Sequence, residues 1–139
     1  MAVAERVEQL RESELFSDLD EDALARIAAD ATEYDCPADT VLIEAGVPAS
    51  GVFIVLEGTV VAETHDGRHH ELGAGDSFGE LSILTGMPRT GRVRAVTELR
   101  ALALDRNEFE TILTDEPAVA RALLKVLARR LVAAQASRR

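Results

Sequence analysis

The chain has 139 residues, 47% of them hydrophobic, a net charge of -10 and a single cysteine, Cys36. That length and apolar content suffice for one domain with a core of its own, while the acidic balance argues against nucleic acid as a direct partner, because phosphate backbones are held by clustered Lys and Arg. One thiol excludes an internal disulfide and favours the reducing cytoplasm, and the absence of any run near ~18 apolar residues, or of an apolar core within residues 1–15, speaks against a membrane span and against export.

Charge is unevenly spread. Residues 1–35 hold eleven acids against three bases, and residues 118–139 hold six bases (Arg121, Lys125, Arg129, Arg130, Arg138 and Arg139) with no acid. Such blocks read as solvated helix faces, placed favourably against helix dipoles, whose opposite signs also attract.

Val3, Val7, Leu10 and Leu15, with Glu and Arg between them, predict a short amphipathic helix over residues 3–15. Asp20 reads as the cap of a second helix over Glu21 to Ala31, in which Leu24, Ile27 and Ala28 recur at helical spacing. Residues 1–35 are therefore assigned to amino-terminal helices. From Pro37 to Asp105 the pattern becomes short runs rich in Val, Ile, Leu and Thr: Thr40 to Glu44, Val52 to Leu56, Thr59 to His65, Arg68 to Leu72, Arg92 to Val96 and Arg100 to Asp105. Gly58, Asp66-Gly67 and Gly73 to Asp76 punctuate them, and Asp-Gly between extended runs is a two-residue hairpin signal. Short strands at this spacing predict a compact sandwich or barrel over residues 36–105. Helical periodicity returns around Asn107 to Leu113 and from Pro117 to Ala136. The last helix carries two overlapping apolar stripes, Leu124, Leu127, Ala128, Leu131 and Val132 beside Val119, Ala122, Leu123, Val126 and Leu127. Together they exceed what one core requires, which predicts packing on the β unit and on a partner helix, giving a homodimer.

The segment from Phe78 to Gly91 carries polar residues that a plain connection does not need. Gly79 allows close backbone approach, and Glu80 to Leu84 form a helical turn with unpaired N–H groups suited to an anion. Arg89, behind Pro88, offers a planar fork of donors that matches phosphate. An acid beside a phosphate is repelled unless it serves something else, and Glu80 is suited to accept from a sugar hydroxyl. A cyclic nucleotide presents both groups on one fused ring.

Phe78-Gly79-Glu80-Leu81-Ser82-Ile83-Leu84 followed by Pro88-Arg89-Thr90-Gly91 resembles the phosphate-binding cassette of the cyclic nucleotide-binding domain family. The likeness extends through Val52 to Gly58, Gly75-Asp76 and Leu104-Asp105-Arg106, from about residue 15 to residue 135. It implies a mainly β fold with flanking α-helices: a double-stranded β-helix, or jelly-roll-like β-roll, over residues 36–105, preceded by amino-terminal helices and followed by a carboxy-terminal lid or dimer helix within residues 106–139, all in one domain, 1–139. By this resemblance Glu80 binds the ribose 2'-OH, Arg89 the exocyclic phosphate oxygens, and the backbones of Gly79, Leu81 and Thr90 with the Ser82 hydroxyl complete the cradle. Val60, Ala62 and Leu72, with Leu131 and Gln135 from the lid helix, would line the base. Gly91 stands where the family usually has Ala, which adds backbone freedom. Thr90 favours guanine in some members but is frequent in bacterial relatives that prefer adenine, so cAMP is the expected ligand and cGMP the alternative.

A competing reading of Glu80 and Arg89 is an ion pair that fixes the loop in a nucleotide-free interaction or dimerisation module. His65, His69 and His70 with Glu63 lie near a hairpin, but they lack zinc-site spacing and a Cys partner, so no metal is expected. No nucleophile elbow, Walker loop or acid and base pair is present, and no catalytic residue is assigned. The chain reads as a regulatory sensor, not an enzyme, whose effector is a protein or domain absent from this sequence.

Overall fold

The computed structural model describes residues 2–44, 51–64, 67–85 and 91–136. Helix α1 spans Val3–Arg11 and α2 spans Glu21–Asp30. The first helix is shorter than its apolar pattern predicts, because Leu15 and Phe16 are buried from the turn that follows it. Asp20 caps α2 as expected, its side chain accepting from the Ala23 N–H at 2.9 Å. Arg6 fastens the two helices together by donating to the carbonyls of Ala28 and Ala31 at 3.0 and 2.7 Å.

Eight strands follow: β1 Thr32–Cys36, β2 Val41–Ile43, β3 Gly51–Glu57, β4 Val60–Thr64, β5 His69–Leu72, β6 Ser77–Phe78, β7 Gly91–Ala95 and β8 Leu99–Asp105, with α3 (Glu80–Thr85) between β6 and β7. The helical region thus ends at Asp30, five residues before the expected boundary at residue 35. Thr32–Cys36 alternates acids with residues of mixed character and gives no apolar period. It is an edge strand held by pairing with β8 and by Arg100, which reaches Asp35 at 3.3 Å and Glu33 at 3.6 Å. The strands form two antiparallel sheets, ordered β1-β8-β3-β6 and β2-β7-β4-β5. Strands β4 and β5 pair antiparallel, with Val60 opposite Leu72 and Ala62 opposite His70, a register one residue off that of a two-residue loop at Asp66-Gly67, of which Asp66 lies outside the described residues.

Both faces of the first sheet are covered, which is why β3 reads as a nearly unbroken apolar run. Val52, Ile54 and Leu56 pack with Leu102 and Leu104 against the helices, in a cluster that includes Leu10, Phe16, Leu24 and Phe109. The alternate residues Phe53 and Val55 face the second sheet, where Val60, Leu72, Val93, Ala95 and Ala101 make the inner core of the roll. Helix α4 (Arg106–Asp115) starts on a reciprocal cap: Asp105 accepts from the Glu108 N–H at 2.7 Å, and Glu108 accepts from the Asp105 N–H at 2.8 Å. Helix α5 (Pro117–Ala136) buries Val119, Leu123 and Val126, while Leu124, Leu131 and Val132 are exposed. Among the described residues no helix is long and apolar enough to cross a membrane, and no group of His, Cys, Asp and Glu is arranged to hold a metal ion.

Candidate functional site

The site is built on the turn that leads into β6. Asp76 closes this turn on itself, accepting from the Gly73 N–H at 2.9 Å while its own N–H donates to the Gly73 carbonyl at 3.0 Å. The turn is fixed to β3, since Val55 N–H donates to Asp76 O and Gly75 N–H donates to Val55 O, each at 2.9 Å. Gly75 has φ +89°, and a Cβ there would lie 3.2 Å from the Glu12 carbonyl, so glycine lets the segment after α1 sit against the turn. Phe78 stacks on Phe53 with ring centroids 5.1 Å apart, which anchors β6 in the core of the roll.

Gly79, at φ +99°, then redirects the chain into α3. The redirection carries Glu80 inward. Glu80 is 1% exposed, and ionisable groups are almost never buried to that degree without a partner. Its Oε1 accepts from Arg130 of α5. Oε2 has no partner among the described residues, and neither does the buried Ser77 hydroxyl. The other guanidinium nitrogen of Arg130 donates to the Ser77 carbonyl and, at 3.4 Å, to Glu14. One guanidinium therefore joins the segment after α1, strand β6, helix α3 and helix α5. Burial raises the Glu14 carboxyl above the ordinary carboxylate range, with Asp76 and Glu80 adding to the rise and Arg130 and Arg129 opposing it.

A buried acid with one oxygen held by a cation, and no partner for the other among the described residues, is joined to a sequence match over residues 35–116 with the cyclic nucleotide-binding domain. The chain belongs to the cyclic nucleotide-binding domain family. It is 33% identical over 129 residues to a CRP-like cAMP-activated global transcriptional regulator of Mycobacterium tuberculosis, an alignment that covers 89% of this chain and 58% of the regulator. The chain thus spans little more than half the length of that relative. Among solved structures it resembles the Thermus thermophilus catabolite activator protein, with a TM-score of 0.78 and 28% identity over 90% of this chain and 61% of that one. It also resembles the regulatory domain of Toxoplasma gondii PKA crystallised with cAMP, with a TM-score of 0.69 and 32% identity over 79% of this chain and 44% of that one. The mainly β roll with flanking helices is the fold of this family.

In this cyclic nucleotide-binding domain, Phe78, Gly79 and Glu80 run from β6 into α3, whose first turn contains Leu81 and Ser82. Arg89 and Thr90 lie outside the described residues, and Gly91 opens β7 opposite Thr64. Val60 and Leu72, paired across β4 and β5, are buried in the inner core beside Phe78, and Ala62 packs on the same cluster. Leu131 and Gln135 do not join them: Leu131 is 59% exposed and Gln135 is exposed too. The reason is helical phase. Val119, Leu123 and Val126 set the buried face of α5, and the next residue at that spacing is Arg130, one place before Leu131.

His69 pairs with Glu63 and His70 with Ala62, so the two histidines fall on opposite faces of the hairpin, and His65 lies outside the described residues. Arg130, Ser77 and Glu14 are absent from the sequence-derived site. The i, i+4, i+7, i+11 spacing from Val119 to Arg130 was the signal for the first of them. Nothing in the local sequence marks the other two.

Proposed function

We propose that the chain is a non-catalytic sensor module that binds cAMP, with cGMP as the weaker ligand, and reports occupancy through α5 to an effector outside this sequence. The observation that carries this reading is the buried Glu80 carboxylate, whose Oε2 has no partner among the described residues. An unsatisfied buried acceptor costs about 1–3 kcal/mol, a cost that a hydroxyl donor relieves on binding. A ribose 2'-OH is such a donor. The cyclised phosphate then falls to Arg89, to the backbones of Gly79, Leu81 and Thr90, and to the Ser82 hydroxyl, leaving Gly91 as a flexible exit and Phe78 as the anchor beneath. Ala62, half-buried on β4, offers the purine an apolar contact, with Val60 and Leu72 packed in the core behind it. The names of the relatives support the same ligand, since one is cAMP-activated and another was crystallised with cAMP.

Transmission rests on the hydrogen bond between Arg130 and Glu80, because a group that settles on one oxygen of a carboxylate alters what the other holds. Ligand therefore shifts the population of α5 positions. The outer face of α5 suits a second copy of the same helix: Leu124, Ala128, Leu131 and Gln135 repeat at i, i+4, i+7 and i+11, the spacing of a two-helix seam. A cytoplasmic protein acting through this homodimer, without touching nucleic acid itself, is the resulting picture.

Titration with a fluorescent cAMP analogue, followed by competition with cAMP and cGMP, tests the reading. Saturable binding is expected, with a loss of at least ~100-fold in Arg89→Ala or Glu80→Gln and with cAMP the stronger competitor. Absence of binding by the unmutated chain would favour an interaction module that keeps the fold without the ligand.

A further inference from the structure

Arg130 divides its guanidinium between two acids. One nitrogen serves Glu80, and the other serves the Ser77 carbonyl and Glu14 at 3.4 Å. A guanidinium beside a single carboxylate tends to engage both oxygens through its fork. Here it engages one, and Oε2 of Glu80 has no partner among the described residues.

Glu14 is well placed to enforce this division. Its backbone N–H donates to the Gly75 carbonyl at 3.0 Å, and Ser13, Leu15 and Phe16 on either side are buried. Ser13 is further tied to the Leu10 carbonyl at 2.6 Å. The backbone of Glu14 is thus held against the turn that precedes the cassette, and its side chain is 20% exposed. Burial raises its carboxyl, so its charged form is held at a cost that surface ion pairs do not bear.

We propose that Glu14 is a positioning residue for cyclic nucleotide binding: with the Ser77 carbonyl it shares the hold on the second nitrogen of Arg130, and its negative charge adds the pull that keeps the guanidinium from covering the Glu80 oxygen that the ligand hydroxyl needs. This rests on the ligand reading given above. Without Glu14 only the Ser77 carbonyl holds that nitrogen, Arg130 turns its fork onto both oxygens of Glu80 more often, and the ligand must then displace it. The groups that face Glu14 are Arg130 and Arg129 on α5, Asp76 before β6 and Glu80 on α3. As pH falls through the raised Glu14 carboxyl, the protonated acid loosens its hold and the advantage it confers on binding is lost.

Affinity for cAMP, measured by calorimetry between pH 5 and 8, and thermal unfolding of the ligand-free protein decide the matter. The variants are Glu14→Gln, Arg130→Lys, the pair combined, and Glu12→Gln as an exposed charge control. Glu14→Gln is expected to weaken binding three- to tenfold at pH 7.5, with the gap to the unmutated protein closing at the acid end. Its melting temperature is expected to stay level or rise, because a buried charge has been removed, and Glu12→Gln should bind as the unmutated chain does. In the Arg130→Lys background, Glu14→Gln should add nothing. Unchanged affinity in Glu14→Gln, or a loss that persists in the Arg130→Lys background, overturns this inference alone. So does a weakened affinity accompanied by a fall in melting temperature, which marks a merely structural pair. Failure of the unmutated chain to bind overturns both it and the reading beneath it.

Discussion

A carboxylate as deeply buried as Glu80 is held in place by the backbone around it, and Gly79 supplies that backbone. At φ +99° an L side chain is strained, so Gly79→Ala should lower stability by about 1–2 kcal/mol. Chemical denaturation of the ligand-free protein reads this directly, and an unchanged midpoint would mean that the turn into α3 tolerates a β-carbon. Glu14 gives a second expectation at this scale. Its raised carboxyl means that the folded chain keeps a proton that the unfolded chain has already released. Its charge therefore weakens the fold at neutral pH, and the penalty is relieved as pH falls through the raised value toward the ordinary one. Glu14→Gln should lack this relief on acidification, so its stability relative to the parent should fall as pH falls across that window; equal slopes in variant and parent would contradict the assignment of the proton.

At the scale of elements, two predictions separate a helix's start from its surface. Asp105→Ala removes half of the reciprocal cap on α4 and should cost about 1 kcal/mol, measured by thermal unfolding. Leu124→Lys with Leu131→Lys leaves the buried stripe of α5 untouched and should abolish self-association in sedimentation while the domain stays folded. A dimer that survives these changes would have its interface elsewhere. What the sequence disclosed follows the same physics. The cassette was readable because Gly79 and Glu80 are types that no core position asks for. The strands β3 and β8 were readable because both faces are buried. Strand β1 was hidden by its acids, Glu33 and Asp35, which serve an edge and pair with Arg100 and leave no apolar alternation. Strand β6 is two residues long and has no period at all. Arg130 was one base among six in a basic stretch, and only the phase of α5 distinguishes it from Arg129.

For the molecule as a whole, ligand binding and folding are linked. If cAMP binds the folded chain alone, a concentration of 100 times Kd adds about 2.7 kcal/mol to stability, and the melting temperature should climb by several degrees in proportion to the logarithm of ligand. A melting temperature indifferent to cAMP would argue against the sensor reading. The contact between Arg130 and Glu14 spans 116 positions of sequence, and Glu80 waits 50 positions for the same guanidinium. Closing loops of that size comes late in folding. During synthesis residues 32–105, which make the β-roll, leave the ribosome before Arg130, so the buried acid is made before its counter-charge. A nascent chain arrested short of residue 130 would carry the acid without its counter-charge.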